Sequence, residues 1–113
     1  MTETAALLLS IFVECSVALL LVWFARWPNR GMAFILIAPA AATLLTHPAL
    51  WRAALWAYPK FGYWPSALVL EAAVILIEGV VILGITRLAP RQAILVSFVA
   101  NSASVLAGWL VTV

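Results

Sequence analysis

Three observations predict an all-α, polytopic membrane protein built as a bundle of about four transmembrane helices. Of the 113 residues, 67% are hydrophobic and only 9% charged. Mean hydropathy is +1.19. The apolar residues fall in long continuous runs rather than in strand-like alternation. A soluble domain is about 45–50% apolar and about 25% charged, so the surrounding solvent of this chain is lipid. A spanning helix takes roughly 20 residues, which leaves room for four spans, short connections and one transmembrane domain over residues 1–113. Continuous runs exclude a transmembrane barrel, whose strands alternate.

The first helix is expected over about 5–25. It lacks a basic leader region, Glu3 precedes it, and its apolar run exceeds that of a cleaved signal, so it reads as a retained span. Breakers in Arg26-Trp27-Pro28-Asn29-Arg30-Gly31 close it. The second helix is expected over about 32–47, bent at Pro39 and ended or broken again at His47-Pro48. Residues 49–64 differ in kind. Trp51, Trp56, Tyr58, Phe61, Tyr63 and Trp64 accompany Arg52 and Lys60, the composition of a membrane–water belt. A short aromatic-rich interfacial segment is expected there, between helices 2 and 3, with a turn at Tyr58-Pro59-Lys60. The third helix opens at Pro65-Ser66, a favourable first-turn proline, and runs to about 86. Arg87 to Arg91 make the third connection, and the fourth helix spans about 92–112. No internal repeat is visible.

The six basic residues stand singly between apolar runs, which makes them topology anchors and excludes a nucleic-acid patch. Arg26, Arg30, Arg87 and Arg91 occupy the first and third connections; Arg52 and Lys60 occupy the second. That bias places both termini outside, with a bacterial inner membrane as the expected location.

Three of the four acidic residues, Glu14, Glu71 and Glu78, fall inside expected spans. A charge near the bilayer centre costs about 3 kcal/mol on insertion scales, so these carboxyls are expected to face an interior. Glu71 and Glu78 are two turns apart on one face. Each other helix has a matching stripe: Ser10 before Glu14; Thr43 and His47 with Thr46 alongside; Ser97, Asn101, Ser104 and Gly108. Glu14, Glu71, Glu78, Asn101 and His47 are therefore the candidate buried polar network. Ser10, Thr43, Thr46, Ser97, Ser104 and Gly108 are its supporting face, and Trp51, Arg52, Trp56 and Trp64 the interfacial set. Two readings stay open. Small and polar stripes also serve as packing devices, and the glutamates could be neutral hydrogen-bond donors to Asn101 or backbone, or partners of Arg52. His47 alone makes a poor metal site, and Cys15 reads as a small buried apolar residue. No nucleophile elbow, HExxH, phosphate loop or CxxC is present and there is no aspartate, so no enzyme, metal or cofactor is expected.

Length, four spans and Glu14 in the first helix resemble the small multidrug resistance transporters, in which that glutamate exchanges protons for cationic drugs. Helix 3 departs from them: it lacks their Tyr/Trp/Gly substrate-lining pattern and adds Glu71 and Glu78. The Gly-rich and Asn-containing signatures of the fluoride-channel family are absent. The chain more closely resembles a group of small bacterial polytopic membrane proteins. The shared features are a Thr-His-Pro turn (Thr46-His47-Pro48), a Glu-x6-Glu helix (Glu71, Glu78) and a Ser-x3-Asn-x2-Ser-x3-Gly helix (Ser97 to Gly108). That resemblance implies the four-helix architecture and no activity.

Two functions are compatible with these residues. One is a small transporter or channel component whose buried carboxylates bind a proton or cation, expected to work as a homo-oligomer because four helices enclose little space. The other is a non-catalytic accessory subunit of a larger respiratory, photosynthetic or transport assembly, docked through the glutamates and the belt. In both, the lipid bilayer is a partner.

Overall fold

The computed structural model describes residues 2–112. Four helices make up the protein: α1 (Glu3–Ala25), α2 (Met32–Phe61), α3 (Tyr63–Thr86) and α4 (Pro90–Thr112). All four are long and apolar enough to cross a membrane. Each packs on its neighbours in sequence, and α4 returns to α1, closing an up-down-up-down ring. The extents, 43 × 23 × 20 Å, match one bilayer with its headgroups in the long direction.

Local chemistry sets the helix ends. Thr2 caps α1 by accepting the Ala5 amide at 3.1 Å, with Glu3 in the first turn. Ala89 precedes α4, where Pro90 takes the first position and Gln92 reaches back to accept the Ala89 amide at 3.1 Å. Both α1 and α3 end on an arginine in the left-handed conformation, Arg26 (φ 56°) and Arg87 (φ 60°). The loop after α1 ties these two ends together. The Arg30 amide donates to Thr86 O at 3.1 Å, and its guanidinium to Ile85 O at 3.3 Å. This satisfies carbonyls that a helix terminus leaves unpaired.

The structure corrects the expected second helix. α2 does not stop at His47-Pro48; it runs unbroken to Phe61 and contains Pro39, Pro48 and Pro59. No separate interfacial segment exists over 49–64, and Tyr58-Pro59-Lys60 is helical rather than a turn. In hydrocarbon every backbone group needs an internal partner, so losing one bond per proline is less costly than ending the helix. The aromatic residues are the far end of α2 and the first turn of α3. The reversal between these helices is a single residue, Gly62, at φ 86° and ψ 165°. Consequently α3 begins at Tyr63, before Pro65, and α4 begins at Pro90, two residues earlier than expected.

The end holding the first and third connections has a buried apolar core, beside a surface groove of about 430 Å³ lined by Trp23, Trp27 and Met32 among others. Ala18, Val22, Ile35, Ile82, Leu88 and Val96 form that core, with Trp27 against them. Closer to the middle, Gly79 brings α3 against α4: a Cβ there would stand 2.8 Å from Ile94 Cδ1. Large apolar side chains such as Phe12, Leu45, Val80 and Leu110 cover the outside, as lipid requires.

The backbone at Gly62 lies in a region essentially reserved for glycine. Gly62→Ala is expected to destabilise the bundle by about 1–3 kcal/mol. Gly84→Ala, on α3 where an added Cβ meets nothing within 4 Å, is expected to be neutral or up to ~1 kcal/mol stabilising. Thermal unfolding in detergent, followed by circular dichroism, reads both.

Candidate functional site: a carboxyl pair beneath a one-ended cavity

Glu14 sits at the middle of α1 and Glu78 on α3, and both are 2% exposed. Their carboxyls face one space, each held by a threonine from the same stretch of α2. The other two helices supply the donors. The Thr43 hydroxyl donates to Glu14 Oε2 at 2.8 Å, and the Thr46 hydroxyl donates to Glu78 Oε2 at 2.6 Å. From α4, Asn101 Nδ2 approaches Glu78 Oε1 at 3.4 Å and also donates to Ser97 O at 2.9 Å. All four helices thus meet at one polar centre inside an otherwise apolar bundle.

No base joins them. All six arginines and lysines are exposed, Arg52 among them, so the expected alternative of a Glu–Arg52 pair is not present. Glu14 Oε1 is buried with no donor among the protein atoms. Two carboxylates facing one buried space in a low-dielectric place repel each other. A proton or a cation between them removes that repulsion, and nothing in the protein itself does so.

A cavity of about 420 Å³ leads from the pair toward the end holding the chain termini and Gly62. Glu71 lines it, half-buried, two turns nearer the mouth than Glu78. His47 is buried on its wall, with Nε2 unpartnered and its ring 6.0 Å from that of Trp51. Ser10, Ser104 and Gly108 line it as well. Below the pair the apolar core blocks the opposite side.

The structure therefore gathers Glu14, Glu71, Glu78, His47, Thr43, Thr46 and Asn101 around one space. It assigns the serine stripe largely to packing. Ser97 donates to Ile75 O of α3 at 2.7 Å, and Ser104 donates to Ser10 Oγ of α1 at 3.0 Å. Cys15 is only partly buried, and its thiol donates to Leu36 O on α2 at 3.3 Å. The interfacial set divides: Trp51 is half-buried in the cavity wall, whereas Arg52, Trp56 and Trp64 are exposed. Tyr58, Tyr63 and Trp109 also line the cavity, which sequence reasoning missed. Tyr58 continues the face of Thr43, His47 and Trp51 at helical spacing. The signal existed but required α2 to be read as one helix. Among the described residues, no group of three His, Cys, Asp or Glu is placed to hold a metal ion.

Comparison with known protein families, with curated proteins and with solved structures finds no match to this chain.

Glu78→Gln keeps an acceptor for Thr46 and adds a donor for Glu14, so its unfolding midpoint is expected to stay close to wild type. Glu78→Leu removes the carboxyl that Thr46 and Asn101 share, leaving Thr46 only its bond to Ala42 O and Asn101 only its bonds to Ser97, and is expected to cost about 1–3 kcal/mol. Melting curves of the two variants side by side check this ordering.

Proposed function

We propose that the protein is a small membrane transporter or channel component in which Glu14 and Glu78 together bind a proton or a cation. The observation that supports this most directly is the pair itself: two buried carboxyls, no arginine or lysine beside them, and a water-sized cavity that reaches them from the end holding the chain termini. Residues that merely hold helices together do not need this arrangement, since the Ser10–Ser104 bond and the Ser97 bond to α3 already do so. Intramembrane ionisable groups facing an internal cavity are the usual mark of a proton or ion path. Glu71 and His47, nearer the mouth, are proposed to pass the ion to the pair. Because the sealed end is packed with apolar side chains, passage would alternate between the two ends instead of following an open pore.

Orientation follows from the arginines. Arg26, Arg30, Arg87 and Arg91 ring the sealed end, against Arg52 and Lys60 at the mouth. We place the sealed end in the cytoplasm, with the mouth and both termini outside. The accessory-subunit reading draws on the apolar outer faces, which lipid alone requires; a stable stoichiometric partner retained in gentle purification would favour it, and a homo-oligomer alone would favour transport.

In vesicles given a pH gradient and a balancing potassium potential, wild-type protein is expected to admit protons. Glu78→Gln and Glu14→Gln should each reduce the rate at least tenfold. Equal rates in wild type and both variants would remove the proposal. C-terminal fusions test the orientation: alkaline phosphatase is expected to be active, and a green fluorescent protein fused at the same point dark.

A further inference from the structure

A second groove, unconnected with the carboxyl pair, lies on the lipid-facing side where α2 meets α3. It has a volume of about 450 Å³, and Trp56, Phe61, Pro65, Ser66, Val69 and Leu70 are among the residues lining it. Its wall is apolar except at one point. Ser66 is 6% exposed, and its hydroxyl oxygen has no hydrogen-bond partner among the protein atoms. A buried hydroxyl without a partner costs on the order of a hydrogen bond, and elsewhere in the bundle Ser16 and Thr86 avoid that cost by donating to the carbonyl one turn back. The Ser66 hydroxyl is instead left for something that enters the groove.

Two further features flank the same place. α3 begins at Gly62 with no side-chain cap, which leaves the first amides, those of Tyr63 and Trp64, open at the positive end of a 24-residue helix. Lys60, exposed and two residues before Gly62, holds its ammonium 4.7 Å above the Trp56 ring that forms one groove wall. Positive charge and open amides thus stand at the rim, a lone hydroxyl lies just inside, and apolar surface continues beyond. The aromatic cluster of Trp56, Phe61, Tyr63 and Trp64 sets the depth at the headgroup level.

We propose that this groove is a binding site for an anionic glycerophospholipid. Its phosphate sits between Lys60 and the first turn of α3, its ester carbonyl accepts the Ser66 hydroxyl, and an acyl chain fills the groove along Val69 and Leu70. A free phosphate or phosphate ester would use the rim alone and leave the apolar part of the groove unfilled. This site is independent of any ion passing Glu14 and Glu78, and its test involves no flux.

The protein is extracted in mild detergent from vesicles of equal phosphatidylglycerol and phosphatidylcholine and weighed by native mass spectrometry. One retained phosphatidylglycerol per chain is expected, favoured over phosphatidylcholine by about fivefold, the scale of one lysine at a lipid surface. Lys60→Gln should bring the two lipids to parity, and Val69→Trp should remove retention of both. Ser66→Ala should melt no lower than wild type in lipid-free detergent, yet gain less from added phosphatidylglycerol. Millimolar glycerol phosphate is expected not to displace the lipid. Equal retention of both lipids by wild type, a preference that survives both Lys60→Gln and Ser66→Ala, or displacement by glycerol phosphate would overturn the proposal.

Discussion

A carboxyl in hydrocarbon must find its partners inside the protein, and this bundle carries two of them at its centre with no arginine or lysine to neutralise either. Several features of the helices serve that requirement. Thr43 and Thr46 are placed to donate to one carboxyl each, and Asn101 closes on the second from the opposite helix. Meeting both carboxyls requires the helix axes to come close. The fully buried Ala18, Ala38 and Ala42, and Gly79 against Ile94, provide the small side chains that permit it. Polar centre and small-residue packing are two sides of one constraint: the first fixes where the helices meet, and the second lets them do so.

The unbroken course of α2 links this centre to the membrane surface. A helix ending at Pro48 would have separated His47 from Trp51 and Tyr58. Continued to Phe61, it sets Thr43, His47, Trp51 and Tyr58 along one wall of the cavity. The prolines are tolerated because lipid gives the chain no better alternative for its backbone groups. The cost of reversing direction is concentrated in Gly62, the only residue between α2 and α3. That choice also leaves α3 without a side-chain cap.

Much of this was legible from composition and spacing. Four spans, their order and the convergence of Glu14, Glu78, Thr43, Thr46 and Asn101 follow from hydropathy and from the cost of polar groups in lipid. The course of α2 did not follow, because proline and an aromatic cluster signal a break in water and at an interface, whereas their meaning inside a long span depends on what neighbouring helices supply. The lateral position of Glu71 illustrates another limit. Spacing put it on the face of Glu78, which is correct, but not at the pair; two turns of helix carry it out to the cavity wall, half-buried. Nor could sequence show that the cavity is open at one end only, since that depends on how Val22, Ile35, Ile82 and Val96 interlock across three connections of the chain.

One-ended access has a mechanical corollary. For anything bound at Glu14 and Glu78 to leave by the sealed end, the helices must part there while still sharing the polar centre. Between the α1–α2 loop and the end of α3 the polar ties are Arg30 to Thr86 O and to Ile85 O, beside an apolar core. Apolar surfaces in lipid separate without a large hydrophobic penalty, because lipid tails replace the lost contacts. By contrast the α1–α4 and α3–α4 pairs keep directional bonds nearer the middle, at Ser10–Ser104 and Ser97–Ile75. An opening of the sealed end would therefore swing the α1–α2 loop away from the end of α3 about the polar layer, and the arginine that bridges them is the contact such a motion would have to break.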